Sequence, residues 1–143
     1  MSQLFISTKR RNSGSAIEIR GHYYNNNDDN CFQEITQIQP ITLKAIAGNQ
    51  LLITLNIPDT WCDKAGDWGW FAVKVNEKIV TRGLQAAGSD AQRVPITLQT
   101  VVDVDSEKDF VIKAMWCNGG GTENRRCYIG EYSEAVLTVL LLD

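Results

Sequence analysis

The chain is 143 residues long, with a formal net charge of −3, 43% hydrophobic residues and 22% charged residues. That length gives room for one domain, and the composition excludes a disordered or collagen-like chain. The negative charge argues against a general affinity for nucleic acid. A single histidine leaves catalytic triads and zinc sites almost nothing to draw on. No stretch approaches the ~18 apolar residues of a transmembrane helix, so membrane insertion is not expected.

The chain opens with a short apolar patch ahead of basic residues, the reverse of a signal peptide. Synthesis in the cytoplasm is expected, with release or surface display by a non-classical route. Residues 1–15, including Lys9-Arg10-Arg11 and Asn12-Ser13-Gly14-Ser15, read as a flexible basic arm on a single domain spanning 1–143. Residues 16–22 alternate as a strand through Ile17 and Ile19, residues 23–30 form a polar loop, and residues 35–47 hold one or two short strands around Pro40.

From there the pattern is strand after strand. Leu51, Ile53, Leu55 and Ile57 share one face of residues 49–57. Residues 68–75 and 78–84 pair as a hairpin through Asn76-Glu77. Val94, Ile96, Leu98, Val102 and Val104 align in the next strand, and residues 105–108 read as the turn of a second hairpin. Phe110, Ile112, Ala114 and Trp116 follow, with Trp116 a core residue. The last strand, 134–142, is apolar on both faces, through Ala135, Leu137, Val139 and Leu141 and through Val136, Leu140 and Leu142. Two buried faces suit a central strand packed against neighbouring subunits. Short strands with regular turns and no amphipathic helix define an all-β, antiparallel β-sandwich or jelly roll.

The cysteines, Cys31, Cys62, Cys117 and Cys127, form no CxxC pair, which argues against zinc and redox motifs. They read as reduced thiols, and Cys117 with Cys127 is the preferred pair should one bridge form. Asp103, Asp105 and Asp109 lack the glycine and terminal glutamate of a calcium loop and read as a solvated turn. No nucleophile has a plausible base, so neither a catalytic residue nor a metal or other cofactor is expected.

Aromatics carry the functional signal. Trp61, Trp68 and Trp70 border a polar loop over residues 58–67. Sugars offer apolar C–H faces to aromatic rings and hydroxyls to short polar side chains. Trp61, in mid-loop, reads as exposed. Two arginine-bearing loops, residues 85–93 ending in Arg93 and residues 117–127 with Arg125 and Arg126, supply planar forks of donors suited to vicinal hydroxyls.

Residues 51–58 (LLITLNIP), Gly69-Trp70-Phe71-Ala72-Val73, Val94-Pro95-Ile96-Thr97-Leu98, Val102-Asp103-Val104, Phe110-Val111 and Trp116 stand in an order that resembles the bacterial TNF-like fucose-binding lectins. The trimeric N-terminal domain of a soluble bacterial superlectin is the reference. The resemblance spans residues 49–141 and is collinear rather than strong at any one motif. It implies a TNF/C1q-like jelly roll, a homotrimer, and fucoside sites between neighbouring protomers. It also implies that Trp61, replacing a tyrosine, and Trp70 line the sugar site. Arg93 and one of Arg125 and Arg126 would donate to sugar hydroxyls. Asp90 and Gln92 stand where the family has small hydroxyl residues, so they are expected to take over those contacts. The expected function is a lectin for fucosylated or related cell-surface glycans. The alternative is a TNF/C1q-like protein-interaction or structural trimeric head domain without sugar binding.

Overall fold

The computed structural model of the chain describes residues 3–10, 17–19, 29–86, 88–119, 127–130 and 134–143. Among the described residues eleven strands follow in chain order: β1 (Gln3–Arg10), β2 (Ile17–Ile19), β3 (Gln33–Glu34), β4 (Ile41–Ala45), β5 (Gln50–Cys62), β6 (Trp68–Val75), β7 (Lys78–Ala86), β8 (Val94–Asp103), β9 (Lys108–Gly119), β10 (Cys127–Ile129) and β11 (Ala135–Leu142). One short 3-10 turn, Asp29–Cys31, precedes β3. Two antiparallel sheets result, the arrangement of a β-sandwich. The first runs β1-β11-β5-β10-β2 with β8 on the other flank of β5, and the second runs β3-β9-β6-β7 with β4 also on β9.

The core follows from period-two alternation. Leu51, Ile53, Leu55 and Ile57 of β5 are fully buried, as are Phe71 and Val73 of β6, Ile112 and Ala114 of β9, and Leu137 and Val139 of β11. Burying each of the larger side chains contributes about 1.5–3 kcal/mol relative to leaving it in water. Trp116 joins this core at 6% exposure, as expected. The hairpin between β6 and β7 forms at Asn76, whose φ of 52° is the left-handed conformation a tight turn requires.

Three expectations need correction. Residues 3–10 are not part of a flexible arm but form β1, antiparallel to β11 from Gln3↔Leu142 to Arg10↔Ala135. The apolar last strand would otherwise present an unpaired edge. Residues 105–108 do not close a hairpin, because β8 pairs with β5 and β9 pairs with β4 and β6. That turn carries the chain from one sheet to the other. Finally, β5 does not stop at Ile57. A register shift between Ile57 and Thr60 lets it run on to Cys62, with Trp61 inside the strand rather than in mid-loop.

The cysteines also differ from expectation. Cys62 and Cys127 face each other in register across β5 and β10, both fully buried, and are joined in a disulfide. Cys117 cannot reach Cys127. Its side chain lies on the outer face of the second sheet with Phe32, Ala72 and Met115, whereas Cys127 belongs to the interior core.

Candidate functional site

The irregularity in β5 builds the site. Before it, odd-numbered residues face the core; after it, Thr60 and Cys62 do, at 1% and 0% exposure. A bulge of this kind changes which face a side chain takes. Asp59, Trp61 and Asp63 are thereby aligned on the outer side of the first sheet. β10 passes on one flank, with Tyr128 opposite Trp61, and β8 begins on the other, with Val94 opposite Thr60. The Thr60 hydroxyl donates to the Val94 carbonyl and fastens that second flank.

Arg93, one residue before β8, reaches this row. Its Nη1 lies 3.1 Å from each Asp59 carboxylate oxygen, and its guanidinium carbon sits 4.8 Å from the Trp61 ring centroid. On the other side Tyr128 stacks on Trp61 with centroids 4.0 Å apart and planes 16° from parallel, and the Tyr128 hydroxyl donates to Asp63 Oδ2 at 3.4 Å. Arg93 is tied to the residue two before Trp61, and Tyr128 to the residue two after it. The two groups therefore close on the indole from opposite sides. Trp61 is half-buried as the layer between a cation and a phenol.

Charge and space fit this arrangement. The Asp59 side chain is only 10% exposed, while that of Arg93 remains 42% exposed. Gly130 follows β10, and its N–H donates to the Asp59 main-chain carbonyl at 2.7 Å. A Cβ at position 130 would overlap the Asp59 carboxylate and crowd Arg93 Nη1, so glycine there leaves room for the ion pair. Trp61 Nε1 is buried without a hydrogen-bond partner among the described residues.

The other expected site residues divide. Asp90 ties its loop to the β5–β6 loop, its Oδ1 accepting from Ala65 N at 2.8 Å, and Gln92 braces its own loop, its Oε1 accepting from Gly88 N at 2.6 Å. The Asp90–Lys64 contact at 3.9 Å is between two largely exposed side chains and adds little. Trp70 is not near Trp61. It packs on the outer face of the second sheet with the Phe32, Ala72, Met115 and Cys117 cluster, on the far side of the sandwich. Arg125 and Arg126 lie outside the described residues. Asp59, Tyr128 and Gly130 were not anticipated. Tyr128 carried one available signal, an aromatic at the edge of the arginine-bearing loop.

Among the described residues no group of three or more His, Cys, Asp or Glu side chains is gathered to hold a metal, and no helix is long and apolar enough to cross a membrane. A cleft of about 620 Å3 lies elsewhere, between the β6–β7 hairpin and the end of β8. Val80, Val102 and Phe110 form its floor, and Lys78 and Lys108 are on its rim. Compared with known proteins, the chain matches no protein-family model, and no curated protein matches it in sequence.

Proposed function

We propose that this chain is a lectin of TNF-like jelly-roll build that acts as a homotrimer and binds fucosylated or related cell-surface glycans without chemistry. The observation that carries the reading is Arg93. Its guanidinium is held between the Asp59 carboxylate and the Trp61 indole, yet much of the side chain faces solvent. Vicinal sugar hydroxyls can accept from such a guanidinium and donate to the adjoining carboxylate. A donor already fixed in place costs less to order on binding.

The strand order supports the jelly-roll reading: β1, β11, β5 and β8 on one side, β4, β9, β6 and β7 on the other, with the turn after β8 passing between them. The outer face of the first sheet supports self-association. Leu140, Leu52 and Val101 stand in one cross-strand row, and Val101 is 53% exposed. In a trimer, Trp70 would approach Arg93 only from a neighbouring protomer. Three weak sites on one rigid body then gain by avidity.

A second reading, a protein-interaction or structural trimeric head without sugar binding, is favoured by the covering of both Trp61 faces. A glycan array run beside light scattering separates the two. Selective glycan binding by a particle near three times 16.0 kDa, lost in Arg93→Ala, supports the lectin. An array that stays silent with an intact trimer supports the head domain. A monodisperse monomer, unchanged by Val101→Asp, refutes the assembly in both.

A further inference from the structure

The two cysteines outside the disulfide are not scattered. Cys31 ends the 3-10 turn before β3, and Cys117 lies near the end of β9, 86 residues later, yet their sulfurs are 3.2 Å apart. β3 itself is only two residues long, pairing Gln33↔Trp116 and Glu34↔Met115 on β9. Several contacts hold this segment over the second sheet, the Lys113–Glu34 ion pair at 3.4 Å and the fully buried Ile35 among them. Phe32 is buried against Met115, Cys117 and Ala72, Arg82 lies 6.0 Å over the Phe32 ring, and Ile35 N donates to Ala114 O at 2.8 Å.

We propose that Cys31 and Cys117 are a second disulfide site, a redox-operated staple that locks the segment around β3 onto the second sheet. The proposal does not depend on sugar binding. A disulfide needs sulfurs about 2.05 Å apart, so closing the gap asks each to move only about 0.6 Å. A movement that small lies within the side-chain adjustment of two cysteines and needs no release of the segment.

Exposure assigns the order of events. Cys31 is half-buried, whereas Cys117 is fully buried. An external oxidant of the disulfide class, such as oxidised glutathione, therefore meets Cys31 first. The Cys31 thiolate attacks one glutathione sulfur, forming a mixed disulfide and releasing one glutathione. The Cys117 thiolate then attacks the Cys31 sulfur and releases the second. Two thiols are oxidised, one glutathione disulfide is reduced to two thiols, and the two protons move to the departing glutathiones. The existing Cys62–Cys127 bond is untouched, because it lies in the interior core on the other sheet.

The new bond closes a sizeable loop even with the first in place. The path from Cys31 to Cys62, across the existing bond, and back from Cys127 to Cys117 is roughly 40 residues. The chain-entropy model then predicts a rise in Tm on the order of 10 °C. The test equilibrates the intact protein in glutathione buffers of increasing oxidised fraction and traps thiols under denaturing conditions with a maleimide. Intact mass and peptide mapping then report the state. Expected are a fall from two labelled thiols to none, a peptide linking Cys31 to Cys117, and the higher Tm in the same fraction. Cys31→Ser should keep one labelled thiol in every buffer and show no rise in Tm on oxidation. Two thiols that stay reactive in the fully oxidising buffer overturn the proposal, as does linkage of Cys31 to any other cysteine. Cys31→Ser is the informative variant, because Cys117 is fully buried on the outer face of the second sheet and its replacement risks the packing there.

Discussion

The Asp59–Arg93 pair should couple strongly for two residues at a surface. Removing Arg93 as Arg93→Ala leaves a carboxylate that is 10% exposed without its cation. For a fully buried pair that loss costs about 3–5 kcal/mol, and for an exposed pair it is at most about 1 kcal/mol. Arg93 is 42% exposed, so water enters where the guanidinium stood and the cost lies between these limits, about 2 kcal/mol. Loss of the cation over the Trp61 ring, at 4.8 Å, adds about 0.5 kcal/mol. Asp59→Ala leaves a guanidinium that water resolvates, at about 1–2 kcal/mol. The double variant has no orphaned charge and should lose little more than Arg93→Ala alone, giving a coupling of about 1–2 kcal/mol. Urea unfolding of the four proteins measures it through midpoint and slope. Additivity to within ~0.3–0.5 kcal/mol, the behaviour of distant residues, would show that the ion pair does not organise this end of the sheet.

Two further outcomes follow from the same region. Gly130→Ala places a methyl group on the Asp59 carboxylate, so it should cost about 1–3 kcal/mol as overpacking and displace Arg93 from Trp61, seen as a changed near-ultraviolet tryptophan signal. Replacing Cys62 and Cys127 together by alanine removes a cross-link between residues 65 apart in sequence. The chain-entropy model puts that at about 4 kcal/mol, read by calorimetry as a fall in Tm of more than about 10 °C.

Alternation made much of the sandwich legible. β6 begins and ends where residues 68–75 predicted, and β8 and β11 agree with their predicted strands to within one residue at either end. Period two reports that a strand has a buried face, not which strand lies beside it. For that reason the turn after β8 looked like a hairpin although it crosses between sheets. The tail of β5 was hidden because the shift at residues 57–60 reverses the parity that marks a strand. Cysteine pairing was hidden for a related cause. Cys117 and Cys127 are neighbours in sequence, but one faces out of the second sheet and the other faces the core from the first.

The site was half legible. Trp61 and Arg93 stood out by chemistry, and the structure does bring them together. Asp59, Tyr128 and Gly130 meet them only through strand register, which joins residues 59–61, 93–94 and 128–130 across three strands. Nothing local in sequence carries that information. Trp70 was grouped with Trp61 because nine residues separate them. The strands that hold them belong to opposite sheets, and both side chains face outward.

Trp61 is where the structural and functional readings separate. Its indole is the middle layer of a stack, so its area matters, but its Nε1–H is buried with no partner among the described residues. An unmet buried donor costs about 1–3 kcal/mol. Trp61→Phe keeps a ring for Tyr128 and Arg93, gives up about 1 kcal/mol of buried area, and relieves that donor. The expected change in stability is within about 1 kcal/mol of zero. Trp61→Ala removes the layer altogether and should cost about 2–3 kcal/mol. A loss above about 2 kcal/mol in Trp61→Phe would mean that Nε1 is already hydrogen-bonded in the folded protein. Measured on the glycan array, the same variant has a second meaning. Because Nε1 is buried away from any ligand, a loss of binding in Trp61→Phe at unchanged stability would mean that the full indole, not a hydrogen bond to sugar, sets the position of Arg93. If a phenyl ring suffices to stiffen Arg93, stability and binding are both retained.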